Sequence, residues 1–115
     1  MRHMRVTKLR PWGMWQILNE ETHNDLIFKT KLITVKSGKA LSKQRHKHRK
    51  EVWTVVSGLA KVFNKDMSFT LFPGDTVVIR KGDWHQLSNE TNELVIVHEV
   101  QIGEICEEDD IERIE

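Results

Sequence analysis

Turn signals punctuate this chain at short intervals, and no other feature limits its fold as much. They are Ser37-Gly38, Ser57-Gly58, Asn64-Lys65-Asp66, Pro73-Gly74, Lys81-Gly82-Asp83 and the run from Asn89 to Asn92. Gly reaches positive φ without steric cost, Pro presets φ, and Asn and Asp bond their own backbone, so each cluster bends the chain. Between the turns lie short runs rich in β-branched and aromatic residues: Leu26 to Val35, Val52 to Val56, Leu59 to Phe63, Thr76 to Ile79 and Leu94 to Val100. Strand-length segments at this spacing predict an all-β antiparallel sandwich or barrel. Helical patterning is weak until Glu108 to Ile114, where one acidic turn or short helix is expected. No repeat, linker or low-complexity segment intervenes, so residues 1–115 are expected to form a single domain.

Length and composition narrow the class further. With 115 residues, 38% apolar and 30% charged, the chain suits one soluble domain with a modest core. Its apolar stretches are too short for a membrane helix. The opening Met1-Arg2-His3-Met4-Arg5 has no apolar run behind it, so no secretory leader is expected. A single cysteine, Cys106, rules out an internal disulfide and fits a reducing, cytoplasmic setting. It reads as a small apolar residue rather than a nucleophile. Charge is lopsided: residues 1–61 hold 14 Lys and Arg against 4 Asp and Glu, and residues 62–115 hold 4 against 13. A basic half can mark a nucleic-acid partner. The acidic half can instead neutralise it, within the fold or across a dimer. No zinc-finger, RNP or helix-turn-helix pattern accompanies the basic half, so nucleic acid is not expected. The acidic tail from Glu104 to Glu115 still carries Ile105, Ile111 and Ile114, and is expected to pack on the body.

The chemistry concentrates between Gln44 and Glu51. Side chains alternate between faces in a strand, so an extended segment puts Ser42, Gln44, His46 and His48 on one face and Lys43, Arg45 and Lys47 on the other. The imidazoles then face a barrel interior while the cations face water. Two imidazoles at i, i+2 with a carboxylate nearby, Glu51, suit zinc, iron, nickel or copper. His85, which follows the turn at Lys81 to Asp83 and opens a new strand, is the best distant partner.

These residues resemble the cupin superfamily. Gly38, the histidine cluster, Glu51 and Gly58 match its first motif; Gly74, Gly82, His85 and Asn89 match its second. More closely, the chain is similar to the cupin isomerase domain of type II phosphomannose isomerase/mannose-1-phosphate guanylyltransferase. That likeness rests on Arg10-Pro11-Trp12-Gly13, on Leu41-Ser42, Gln44, His46, His48-Arg49, Glu51 and Trp53, and on Val56-Ser57-Gly58. It continues through Glu99-Val100-Gln101, Gly103, Glu108-Asp109-Asp110-Ile111 and Arg113, nearly the whole chain.

The resemblance implies a cupin double-stranded β-helix, a small jelly-roll barrel, with a divalent ion held inside: zinc first, with manganese, nickel or iron as alternatives. Its Gln-x-His pattern implies the ligand set Gln44, His46, Glu51 and His85. The set His46, His48, Glu51 and His85 stays open beside it. It also implies metal-dependent interconversion of mannose 6-phosphate and fructose 6-phosphate through an enediol(ate), with a sugar phosphate as the small-molecule partner. Such a step needs oxyanion stabilisation and a base of near-neutral pKa. His48 is the candidate proton carrier, and Arg49, ahead of Arg80, the candidate phosphate grip. Guanylyltransferase chemistry is not carried over, because no nucleotide loop is present. Arg80 replaces the second motif's usual Pro, and the family's following segment ending Tyr-Gly-Arg has no counterpart before Glu115. A non-catalytic sugar or sugar-phosphate binder and an iron-dependent oxygenase remain the alternatives.

Other residues have simpler expectations. Trp53 shares parity with Glu51 and should point inward, as core or as a sugar-stacking wall. Trp12 and Trp15 are expected to pack on the barrel or across a dimer, and Trp84 to face away from His85. Asn89 reads as a turn-former. A homodimer is expected, since small barrels protect exposed edges by closure or pairing.

Overall fold

The structure is a computed structural model and describes residues 6–114; the charged opening, Met1 to Arg5, lies outside the described residues. Eleven strands and no helix are found among these residues. They are β1 (Thr7–Arg10), β2 (Gly13–His23), β3 (Leu26–Val35), β4 (Lys43–Arg45), β5 (Arg49–Ser57), β6 (Ala60–Asn64), β7 (Met67–Leu71), β8 (Thr76–Ile79), β9 (His85–Ser88), β10 (Val95–Gly103) and β11 (Glu112–Ile114). One sheet runs β1-β2-β3-β10-β5-β8 and the other β11-β4-β9-β6-β7. All pairings are antiparallel. The all-β jelly-roll expectation is met.

Turn chemistry sets the corners. Gly58 joins β5 to β6 at φ +80°, and a Cβ there would lie 2.4 Å from the Leu94 carbonyl oxygen, so only Gly fits both the conformation and the approach. Asn89 is indeed a turn-former: its buried amide donates to the Val35 and Glu93 carbonyls at 3.0 and 2.6 Å and accepts from the Thr91 N–H at 2.9 Å.

The central strands divide the interior into two zones. In β3, β5 and β10 every second residue faces inward. At one end those residues are apolar: Val95 lies across from Val35, and Val97 from Ile33 and Val55. Farther along the same strands they are polar: Glu99 lies between Lys31 and Trp53, and Gln101 between Lys29 and Glu51. With Ala60, Val62, Ile79 and Leu87, the first zone is a dry core. The second is an ionic chamber, and a buried charge must be paired or bonded to be tolerated there.

Two sequence expectations are corrected. The stretch from Glu108 to Ile114 forms a turn closed by the Asp110 N–H on the Glu107 carbonyl, then strand β11 paired with β4, not a helix. Pairing with Lys43, Gln44 and Arg45 outweighs the weak helical pattern. The even alternation from Ser42 to His48 also fails: β4 ends at Arg45, and a bend at Lys47 and His48 precedes β5. The expected docking of the acidic tail is present. Cys106 accepts at its carbonyl from Lys29 Nζ at 2.7 Å, Glu108 pairs with Lys31, and Glu112 pairs with Arg45 at 2.9 Å. The two charged halves therefore meet within the fold.

Candidate metal centre and its cavity

Three side chains from different elements converge in the ionic chamber. His46 follows β4, Glu51 lies on β5 and His85 opens β9; their exposures are 3%, 2% and 2%. Their ligand atoms all lie within 4.8 Å of one another. His46 Nε2 is 3.2 Å from Glu51 Oε2, and His85 Nε2 is 3.7 Å from Glu51 Oε1. Each imidazole donates its Nδ1–H to a backbone carbonyl, His46 to Asp110 at 2.7 Å and His85 to Asp83 at 3.0 Å. A carbonyl can only accept, so both rings carry a proton on Nδ1 and turn Nε2 toward Glu51. Fixing the tautomer through the remote nitrogen is how metal-ligating histidines are oriented. Once Nε2 is deprotonated, two imidazoles and one carboxylate suit a divalent cation, and the residues fit it.

The charges around this trio are tightly arranged. Burial favours neutral Glu51, but the His85, Arg49 and His46 charges and a hydrogen bond with Glu99 bring its pKa down to about 2. For His46 burial wins and lowers its pKa, although Glu51 opposes it. Arg49 is buried, donating from Nε to Glu51 Oε2 at 2.9 Å, from Nη1 to the Glu107 carbonyl at 2.9 Å and from Nη2 to His46 Nε2 at 3.3 Å. Trp53 Nε1 donates to both Glu51 Oε1 and Glu99 Oε2 at 3.0 Å, and its ring meets His85 edge-on. Glu99 is pushed up to about 8 by burial and then by the Glu51 charge, so it is a neutral acid at pH 7. Gln101 Nε2 donates to Glu99 Oε1 at 2.7 Å, while Gln101 Oε1 is buried with no donor.

Two of the three, Glu51 and His85, with His46 behind them, border a cavity of about 360 Å³. Its lining includes Gln44, Glu51 and His85, the aromatics Trp12, Trp15 and Trp53, the carboxyl groups Glu99 and Glu108, and the cations Arg10, Lys31, Arg49 and Arg113. Gln44 is directly across from His85 and from Arg113, and its amide nitrogen is held by the Ser42 carbonyl and hydroxyl at 3.3 Å. Arg49 and Trp53 reach the cavity; Arg80 is exposed and does not line it. His48 also stays outside. Its side chain is 44% exposed and pairs with Asp110 at 3.2 Å, because the bend after Arg45 rotates it away. Trp12 and Trp15 wall the cavity as well as packing on the core.

Glu99, Gln101 and Asp110 enter the sequence reading only as motif residues, and Lys31 only within a strand run; none of the four is assigned a place in the site there. For the first two a signal existed: Glu99 and Gln101 continue the inward parity of Val95 and Val97. The Asp110 carbonyl is invisible to side-chain pattern.

Comparison with known proteins agrees with this geometry. Residues 1–115 match the family model described as mannose-6-phosphate isomerase C-terminal. Alginate biosynthesis protein AlgA of Pseudomonas aeruginosa is 41% identical over 106 residues, covering 92% of this chain and 21% of that protein. Mannose-1-phosphate guanylyltransferase ManC of Salmonella typhimurium is 35% identical over 113 residues, covering 98% and 23%. The chain thus spans about a fifth of the length of these curated relatives. Among solved structures, a cupin-2 domain protein of Rhodospirillum rubrum superposes with TM-score 0.75 at 16% identity, covering 97% of this chain and 75% of that one. Capsular polysaccharide assembling protein CapF of Staphylococcus aureus gives 0.80 at 14% identity, covering 99% and 33%. The chain has a cupin fold and belongs to the mannose-6-phosphate isomerase C-terminal family.

Proposed function

We propose that this domain is a metal-dependent sugar-phosphate isomerase acting between mannose 6-phosphate and fructose 6-phosphate. The observation that carries the reading is the convergence of His46, Glu51 and His85, each imidazole oriented by a carbonyl, beside a cavity of hexose-phosphate scale that Glu51 and His85 line. Gln44 completes the ligand set, since its amide nitrogen is already engaged and its carbonyl oxygen is the free end. A divalent ion, zinc first, would supply Lewis-acid stabilisation of the developing oxyanion. Trp12, Trp15 and Trp53 wall the cavity, and the donor-free Gln101 Oε1 suits a hydroxylated ligand. Proton transfer falls to Glu108 rather than the outlying His48. Glu108 lines the cavity, and although burial opposes ionisation, Lys31 keeps it a carboxylate.

Metal-replete protein should interconvert the two sugar phosphates, and Glu108→Gln should lose turnover while keeping the ion. No interconversion by protein with a full complement of zinc, manganese, nickel or iron would overturn the reading; saturable binding alone would favour the non-catalytic binder. Two histidines and one carboxylate also form an iron-oxygenase donor set, which oxygen uptake with iron but not zinc would reveal.

We also propose a homodimer through the outer face of the larger sheet. Outward positions of β3, β10, β5 and β8 include Leu32, Ile96, Val100, Ile102, Val52 and Val78, and Lys50 is their one Lys, Arg, Asp or Glu. Four strands and four outward positions give on the order of 500 Å² per copy, or about 1,000 Å² in total, the lower limit of a specific interface. The occupant is a second copy, because a mostly uncharged, partly apolar sheet face complements itself about a two-fold axis. Sedimentation should show a dimer that Val100→Glu converts to monomer with metal content retained. A monomeric wild type would refute it.

A further inference from the structure

The cavity's charges do not balance, and the imbalance lies at its mouth. Four cations line it. Lys31 is paired with Glu108 and Arg49 with Glu51. Arg10 and Arg113 have no carboxylate partner among the described residues. The remaining lining carboxyl, Glu99, is buried and held by the Trp53 indole N–H and the Gln101 amide rather than by either arginine. Both arginines are exposed while the lining residues His85, Glu51 and Gln101 are buried, so the pair stands at the entrance and these three at the floor.

Their positions are set from the two sheets. Arg10 ends β1 at the edge of the larger sheet, its Nη1 on the Leu9 carbonyl at 3.2 Å and its Cζ 5.9 Å from the Trp15 ring. Arg113 is the central residue of β11, directly across from Gln44. Arg49, by contrast, spends its donors on Glu51, Glu107 and His46, and Arg80 is outside the cavity. A phosphate monoester carries about two negative charges near neutral pH and accepts forked guanidinium donors.

We infer that Arg10 and Arg113 form a two-arginine clamp for the phosphate of a phosphorylated ligand, at the cavity mouth and across from the metal-type trio. The inference deepens the sugar-phosphate reading and rests on it for the ligand's identity. A phosphate held at the mouth points the sugar end toward the floor, which makes the clamp the feature that selects a phosphorylated sugar over a free one.

The test is calorimetric titration of the metal-replete, full 115-residue chain with mannose 6-phosphate, mannose and inorganic phosphate, alongside steady-state isomerase kinetics. Arg10→Gln and Arg113→Gln are surface changes expected to leave the fold intact, as circular dichroism would show. Each should weaken mannose 6-phosphate binding by about tenfold or more, as for loss of a charge-assisted contact. The double variant should bind it no better than mannose, and binding of free phosphate should disappear. Lys39→Gln, which removes one charge elsewhere on the surface, should change none of these affinities. Turnover by the wild type with KM unchanged in both arginine variants would refute the clamp and leave the isomerase reading standing. Phosphate binding lost in the double variant, with no turnover by the wild type, would support the clamp and refute the isomerase. Absence of saturable binding of mannose 6-phosphate or phosphate by the wild type would overturn the clamp outright.

Discussion

Replacing Glu99 by Gln tests whether a carboxyl group is held neutral beside the candidate metal site. Glu99 and Glu51 share the Trp53 N–H, yet the folded protein drives their pKa values apart, to about 8 and about 2. An unfolded Glu titrates near 4.5, so between about pH 4.5 and 8 the folded state of the metal-free protein holds one more proton at Glu99 than the unfolded state. Stability from this group must therefore fall as pH rises, by up to about 1.4 kcal/mol per unit. Glu51 acts in the opposite sense and lower down: its contribution is present above pH 4.5 and is lost as pH falls toward 2. Glutamine keeps an acceptor for Gln101 and a donor toward Glu51, but it cannot ionise. Urea denaturation of chelator-treated wild type and Glu99→Gln at pH 5, 6, 7 and 8 should show the variant gaining stability relative to wild type, by several kcal/mol across the range. Parallel stability–pH curves would mean that Glu99 is ionised in the folded protein and would refute the reasoning.

Other changes follow from the same contacts. Glu51→Gln leaves the Arg49 guanidinium buried without its anion and should cost about 3–5 kcal/mol in denaturant melts, with loss of bound metal by elemental analysis. Gln44→Ala should lower metal affinity, whereas His48→Ala should leave it unchanged in a chelator competition, since His48 lies outside the trio. Gly103→Ala should prevent folding or cost several kcal/mol by thermal melt: a Cβ there would lie 2.0 Å from the His48 carbonyl oxygen and 2.7 Å from Arg49 Cα, both backbone.

What the sequence reveals of this fold depends on parity. The segments Leu26 to Val35 and Thr76 to Ile79 coincide with β3 and β8, because their apolar or β-branched residues mark them plainly. β10 runs on past Val100, where the apolar stretch ends, to Gly103, and these last three residues escape notice because Gln101 and Gly103 interrupt the apolar character. β1, β2 and β7 are likewise absent from the sequence reading; Lys8, Arg10, Asn19, Glu20 and Ser68 break up their apolar character, and cross-strand pairing makes them strands. For the site, Glu51 and His85 were legible from spacing and from turns, and His46 with them. His48 was misplaced because alternation holds only while a strand lasts, and this one ends at Arg45. The role of Arg49 was legible only in part. It enters the cavity, but a buried partner, Glu51, two residues away already claims it.

The lopsided charge of the chain has its structural meaning at Asp110. One residue of the acidic tail ties down the bend that ends β4: its carboxylate accepts the Lys47 and His48 backbone N–H groups at 3.2 and 3.0 Å. The same residue's carbonyl accepts the His46 Nδ1 proton at 2.7 Å. The carboxylate thus positions the carbonyl that fixes the imidazole, and the tail belongs to the candidate site without offering it a ligand atom. Removing the carboxylate by Asp110→Ala keeps every ligand and the carbonyl itself, but frees the turn that aims them. Loss of such an outer contact lowers metal affinity by about 10–100-fold. Asp110→Asn retains one acceptor oxygen and should recover part of that loss. Dissociation constants from competition with a chromophoric chelator, measured for wild type and both variants, would show the graded order if Asp110 positions His46. Equal constants in all three would mean that β4 and β5 alone hold the imidazole in place.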